Sequence, residues 1–428
     1  MEFSIWPFVS PSQRLPAEEE RWWQECYLPT PAHILAEQYS YGSLIIGGYQ
    51  SGRSTLVAAL KRSLCHDFLV VEDEFLNQPT KMPASDNALC RMLRQAIWKV
   101  REYLREKPER LEQIRSRTVL EFLRWGIEKF HGQRAYLRWL DALPERLASR
   151  LAGIPFEDLY PTQHNVQDVQ GQIEEVLNLV CQIGYRGIAV LVDVFPFPTI
   201  DQVQELRSLL GWRELMHHAG LRWVIAIPPI LNQQEIQSLL RGRLPVFALE
   251  VNMEFIEEVL SRYLKVATAR QIEALEQICS PTLQHRLEEM IKDEFGDPAV
   301  GAWVKLAELL LEVFQKTREK IGEDHFQHIY TLYLSRFCPL HPDPTPGRIG
   351  IWRGYRWIEL DHSVYEFLQS LVQAGQPVNH LVFHTSKSNL HTLASRLRKA
   401  LEGTGTEVYL KNTRNEGYSL QHYRSVFP

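Results

Sequence analysis

The stretch from Ser43 to Leu64, "SLIIGGYQSGRSTLVAALKRSL", limits more than any other what this chain can fold into. A short apolar run ends in glycines, and apolar residues then recur at Leu56, Leu60 and Leu64, the spacing of one helical face. That pattern is strand, tight turn, helix. Gly47 and Gly52 have G-x-x-x-x-G spacing, and Arg53, Ser54 and Thr55 follow. Backbone N–H groups in such a turn, with the positive end of the helix dipole, converge on one point and suit a phosphate. The residues so placed are Gly47, Gln50, Ser51, Gly52, Arg53, Ser54 and Thr55. A glycine turn that only joins a strand to a helix leaves the same trace.

Four more apolar runs, "DFLVVEDEF", "GIAVLVDVFPFP", "LRWVIAIPP" and "LPVFALEV", are separated by helical stretches. Strands apolar throughout and alternating with helices predict an α/β fold, a parallel sheet covered by helices on both faces. Asp193 closes "IAVLVD" and is, with Ser54, the candidate magnesium pair; a plain strand-end cap is the other reading. Glu72, Asp73 and Glu74 end the second run, where a solvated cluster is the default expectation.

As a set, these motifs over residues 43–315 resemble the AAA+ and STAND branch of P-loop NTPases. "WVIAIPP" stands where that branch has its sensor strand, and "FGDPAVGAWVKLAELLLEVF" is similar to its lid helix. The resemblance implies ATP or ADP with Mg2+, the loop on the phosphates and Ser54 and Asp193 on the metal. Three departures bear on it. Arg53 replaces the loop lysine, and a planar guanidinium is not a compact point charge. Val194 follows Asp193 where hydrolytic members carry glutamate, and Ala299 stands where many carry an arginine. Backbone amides can still bind phosphate, but phosphoryl transfer depends on positioning and charge stabilisation. A degenerate nucleotide-binding module with very weak ATPase activity or none is therefore expected.

At 428 residues the chain needs more than one domain. Residues 1–42, rich in Pro and Trp, read as an arm packing across the next domain. Residues 43–252 form the α/β domain with a helical insertion at about 83–180, whose basic residues, such as Arg91 and Arg101, read as a solvated face. Residues 253–337 are a helical lid. "CPLHPDPTPG", 338–347, reads as a linker to a small domain, 348–428.

In that last domain Leu390, Leu393, Leu397 and Leu401 share one helix face, and a turn and two short strand-like pieces follow. Leu397-Arg398-Lys399-Ala400-Leu401 and Arg414-Asn415-Glu416-Gly417-Tyr418 resemble the recognition helix and wing of OmpR/PhoB-type winged-helix domains. "RIGIWRGYRWIEL" is similar to that family's leading sheet. The resemblance implies duplex DNA as a partner, met by Ser388, Asn389, Thr392, Arg396 and Lys399 on the helix and Arg414 on the wing, with Arg398 a candidate brace. From Arg348 onward, 10 Lys and Arg against 6 Asp and Glu give +4, leaving −9 of the net −5 for the rest. A protein-docking winged helix is the alternative at this point.

The six cysteines include no C-x-x-C pair and read as buried thiols in a reducing compartment. The amino terminus lacks a signal-peptide pattern and no apolar run spans a membrane, so a cytoplasmic protein is expected. Three functions remain open: a DNA-binding regulator with a nucleotide switch or assembly platform; an active ATPase that loads or regulates a partner on DNA; and a non-enzymatic scaffold. A protein partner or homo-oligomer fits each.

Overall fold

Five parallel strands occupy the apolar runs: β1 (Gly42–Ile46), β2 (Phe68–Glu72), β3 (Gly187–Asp193), β4 (Leu221–Ile227) and β5 (Val246–Ala248), in the order β2-β3-β4-β1-β5. In register, Leu44 lies beside Ile225 and Val246, and Val70 beside Ala189. The structure, a computed structural model, describes residues 6–8, 15–77, 87–153, 166–295, 299–343, 347–402, 407–414 and 416–425.

Strand alternation sends side chains to two faces, and both are covered. Ile45, Val70, Leu191 and Val224 pack with Leu56, Leu60 and Leu64 of the Arg53–Leu64 helix. Leu44, Val71, Val190, Trp223 and Ile225 pack on the other side with the helices Ala88–Glu106, Arg117–His131 and Val166–Gln182. The helical insertion thus supplies one wall of the core. That placement corrects two expectations. Asp73 is 7% exposed, caps the next helical turn through the N–H groups of Phe75 and Leu76, and takes two bonds from Arg91, at 3.1 and 2.8 Å. Arg91, read as solvated, also meets Glu205 at 3.1 Å and lies over the Phe75 ring. Glu72 pairs with Lys61.

These elements form one of two compact units, Pro29–Leu249 without Tyr49–Ser51. The other takes in the described residues up to Leu28, Tyr49–Ser51 and those from Glu250 onward. Its helices Met253–Ala267, Pro281–Phe295, Val300–Thr317 and Phe326–Phe337 lead into an antiparallel sheet of β6 (Leu340–His341), β7 (Gly350–Arg353) and β8 (Arg356–Glu359). Helices His362–Ala374 and Lys387–Glu402 follow, then the hairpin β9 (Leu410–Thr413) and β10 (Gly417–Leu420). This is a winged helix.

One core runs through the helical region and the winged helix, with Leu306, Leu310, Tyr333, Ile351, Phe367, Leu397 and Tyr409 in it. The expected linker is therefore corrected over its described part: Cys338 and Leu340 are buried, and Leu340 and His341 pair with Arg353 and Trp352. Arg353, 3% exposed, donates to the Leu401 carbonyl at 2.6 Å and to the Glu294 carboxylate, joining β7 to both neighbouring helices. The arm is corrected as well. Its described portion up to Leu28 belongs to this unit, where the Trp6 indole donates to Glu308 and Arg262 to the Tyr27 carbonyl.

Cys26, Cys90, Cys279 and Cys338 are buried as expected, but Cys65 and Cys181 are exposed, and none of the six is in a disulfide. No helix among the described residues is long and apolar enough to cross a membrane.

Candidate nucleotide loop and nucleic-acid face

The turn after β1 begins with the Gly47 N–H still donating to the Ile227 carbonyl at 3.1 Å. Gly52 sits at φ +88°, a left-handed conformation that glycine adopts without strain, and caps the Arg53–Leu64 helix. At the tip, Gln50 has φ +58° and its carbonyl accepts from the Gly301 N–H at 2.7 Å. Tyr49 stacks on Tyr355 with ring centroids 5.6 Å apart. Ser51 is 7% exposed and its Oγ has no hydrogen-bond partner. Ser54 is exposed and Thr55 half-buried in the first helical turn, where backbone N–H groups lack intrahelical acceptors.

Arg53 is the unusual member. It is 7% exposed, and its guanidinium is spent on the protein itself. Nε donates to Asp193 Oδ1 at 2.9 Å, one terminal nitrogen to the Val194 carbonyl at 2.6 Å, and the other to the Gly47 carbonyl at 3.4 Å. Charge-assisted bonds of this kind are strong. The side chain clamps the end of β1 to the end of β3. Asp193 also receives a backbone anchor, its N–H donating to Asn77 Oδ1 at 2.9 Å. Val194 is fully buried and offers no polar group towards a water.

The implied magnesium does not fit this arrangement. A guanidinium in contact with Asp193 Oδ1 repels a divalent cation from that carboxylate. An anion suits the first turn of the Arg53–Leu64 helix better, because the N–H groups there lack intrahelical acceptors. Of the lid motif, Gly296, Asp297 and Pro298 lie outside the described residues; Ala299 is buried and opens the Val300–Thr317 helix.

In the winged helix the leucine stripe faces inward: Leu390, Leu393, Leu397 and Leu401 are 4%, 5%, 0% and 0% exposed. Ser388, Asn389, Thr392, Arg396 and Lys399 are all exposed, as is Arg414 at the β9–β10 turn; Asn415 lies outside the described residues. Several of them have local partners. Asn389 donates to Thr385 at 2.7 Å, the Thr392 hydroxyl donates to the Ser388 carbonyl at 3.0 Å, and Arg396 pairs with Asp361. The Ser363 hydroxyl and the Val364 N–H, with Arg396 beyond them, hold the Asp361 carboxyl below the usual carboxylate range. Arg398 is the brace, donating to the Leu410 carbonyl at 2.9 Å and to Glu407 at 3.0 Å.

The sequence reading missed two groups here. Glu402, fully buried, accepts from the N–H groups of Tyr409 at 2.6 Å and Leu410 at 3.1 Å, and burial raises its pKa. Asp361 caps the His362–Ala374 helix, a role that its place just before an apolar-periodic run does announce.

No protein-family model and no curated protein matches the chain. Among solved structures it is similar to the crystal structure of Cdc6p from Pyrobaculum aerophilum, with a TM-score of 0.36 and 10% identity over 97% of this chain and 93% of that one. At that distance the architecture has to be read from the chain's own geometry.

Proposed function

We propose that this chain is a DNA-binding regulatory protein in which the loop after β1 serves as a non-hydrolytic nucleotide switch. The observation that carries the proposal is the solvent face of the Lys387–Glu402 helix, where Ser388, Asn389, Thr392, Arg396 and Lys399 are exposed while the leucine face holds the core. Arg396 and Lys399 supply phosphate contacts, and Asn389 and Thr392 supply donors and acceptors for base edges. Arg414 does the same work from the wing.

The test is duplex binding as a function of salt. Each phosphate contact steepens the dependence of log K on log salt by about 0.9. Arg396→Ala with Lys399→Ala should therefore flatten that slope by up to about two contacts' worth. An unchanged slope removes the helix from the interface.

On the nucleotide side, Arg53 reaches a phosphate only by leaving Asp193. Asp193→Asn, which weakens the competing partner, is expected to raise affinity for a fluorescent ATP analogue. In a magnesium-dependent hydrolase the same change lowers affinity or turnover, so the sign decides between a switch and an ATPase. A non-enzymatic scaffold is favoured by the same Arg53–Asp193 pair, which satisfies the site without any ligand. A scaffold shows neither nucleotide nor duplex binding.

A further inference from the structure

The helical insertion carries a charge balance unlike that of the rest of the chain. From Ala88 to Gly153, 15 Lys and Arg stand against 8 Asp and Glu, giving +7 and leaving −12 of the net −5 elsewhere. That exceeds the +4 found from Arg348 onward. Part of the excess is structural: Arg91 holds Asp73 and Glu205, and Arg150 donates to the Leu111 and Ile114 carbonyls. Part is not. Lys129, Arg134 and Arg138 are exposed, and among the described residues none has a carboxylate within ion-pair distance.

The fold sets these cations around one junction of helices. Gly132, at φ +85°, ends the Arg117–His131 helix, and its carbonyl opens the Gln133–Asp141 helix by accepting from the Ala135 N–H at 2.9 Å. Lys129 stands just before this turn, and Arg134 and Arg138 follow it, one helical turn apart. The Trp139 indole fastens their helix to the Ala88–Glu106 helix, donating to the Arg101 carbonyl at 3.1 Å. One turn before Arg101 stands Trp98, 42% exposed, with the Lys99 ammonium 5.8 Å from its ring centroid. Arg94, Trp98, Arg101 and Arg105 recur at the spacing of one helix face. Nearby acids are already matched, Glu102 by Arg101 and Arg105, and Glu128 by Arg124. Burial, and after it the charges of Arg101 and Arg94, push the His131 imidazole below its ordinary value, a sign of positive potential at the junction.

We infer that this junction binds a single-stranded segment of nucleic acid, with phosphates on Lys129, Arg134 and Arg138 and a base on the Trp98 ring. An indole face left in solvent among unmatched cations suits a planar base joined to an anion. A duplex shows only base edges in its grooves and would use the cations alone. An acidic peptide likewise leaves the ring without a partner. An unpaired strand carries both groups on one chain. Little sequence preference is expected, because every base has a π face. This site adds to the duplex reading proposed above and does not rest on it.

The experiment titrates full-length protein into a fluorescein-labelled strand of about 20 thymidines, a length that spans one site several times over, read by anisotropy over a range of salt. Saturable binding is expected. Trp98→Ala should weaken it about fivefold or more at every salt concentration, with the slope of log K against log salt unchanged. Trp98→Phe, which keeps a stacking face, should recover most of that loss. Arg134→Ala with Arg138→Ala should flatten the slope by up to about 1.4, at about 0.7 per phosphate of a single strand. Lys316→Ala with Lys320→Ala removes the same charge from the other unit and should leave binding unchanged. Circular dichroism checks that each variant is folded. The inference is overturned if Trp98→Ala binds like the parent or if the double arginine variant keeps the full slope. It is overturned equally if a duplex of the same length, or polyglutamate of the same charge, displaces the strand at equal concentration. None of these variants touches Arg396, Lys399 or Arg414, so the duplex proposal and this one fail separately.

Discussion

At the scale of single residues, Arg53 is the centre of the loop's behaviour. Its exchange for lysine is legible in the sequence; its partner is not, because Asp193 lies 140 positions away and only the parallel packing of β1, β4 and β3 brings the two together. A buried pair broken from one side leaves an uncompensated charge, which costs about 3–5 kcal/mol when both partners are buried. Asp193 retains 20% exposure, so the lower end of that range is expected for Arg53→Met, and somewhat less for Asp193→Leu. The double substitution should be less damaging than the sum of the two, with a coupling of about 1–3 kcal/mol in urea unfolding. The cysteines give a second check at this scale. Burial pushes Cys279 up to about 11 and Cys338 up to about 12, and both are sealed in the core, whereas Cys65 and Cys181 are exposed. Native protein at mild alkaline pH should take up two equivalents of a thiol reagent, and unfolded protein six. The sequence treated all six alike because cysteine carries no signal of its own burial when no pairing motif surrounds it.

Among the elements, the Lys387–Glu402 helix was the most legible, because a leucine every three or four residues leaves one face that can be buried. What the pattern could not give was how the wing is fastened. Gly417 has φ +111°, and a Cβ there would come within 2.2 Å of the Val378 carbonyl oxygen, on the strand-like pairing of Val378 with Tyr418. Gly417→Ala should lower stability by at least about 1–3 kcal/mol and abolish duplex binding before it abolishes helical circular dichroism. Glu402 fixes the other end of the hairpin. Its folded pKa is raised by burial, despite the opposing hydrogen bonds from the Tyr409 and Leu410 N–H groups. Stability from this group is therefore fully present below the unfolded pKa and is lost as pH rises through the folded one. Glu402→Gln, which cannot ionise, keeps an acceptor for those N–H groups. It should raise the melting temperature relative to the parent at pH 7 and give no advantage at pH 4.

For the molecule as a whole, the parallel sheet, its helical cover and the winged helix were all readable from apolar periodicity and turn residues. The grouping was not. Four prolines in "CPLHPDPTPG" signal an interrupted chain, and composition alone cannot distinguish a tether from an irregular edge strand. Leu340 and His341 form that edge, and the core continues past them without a break. The Tyr409 hydroxyl reports the continuity most directly, donating to the Cys338 carbonyl at 2.6 Å from within the winged helix. The winged helix is consequently not a cassette that can be cut out at Arg348 and grafted elsewhere. Such a fragment would carry the Tyr409 hydroxyl with its acceptor amputated and would open the core that Leu397 and Leu401 share with Leu306 and Leu310.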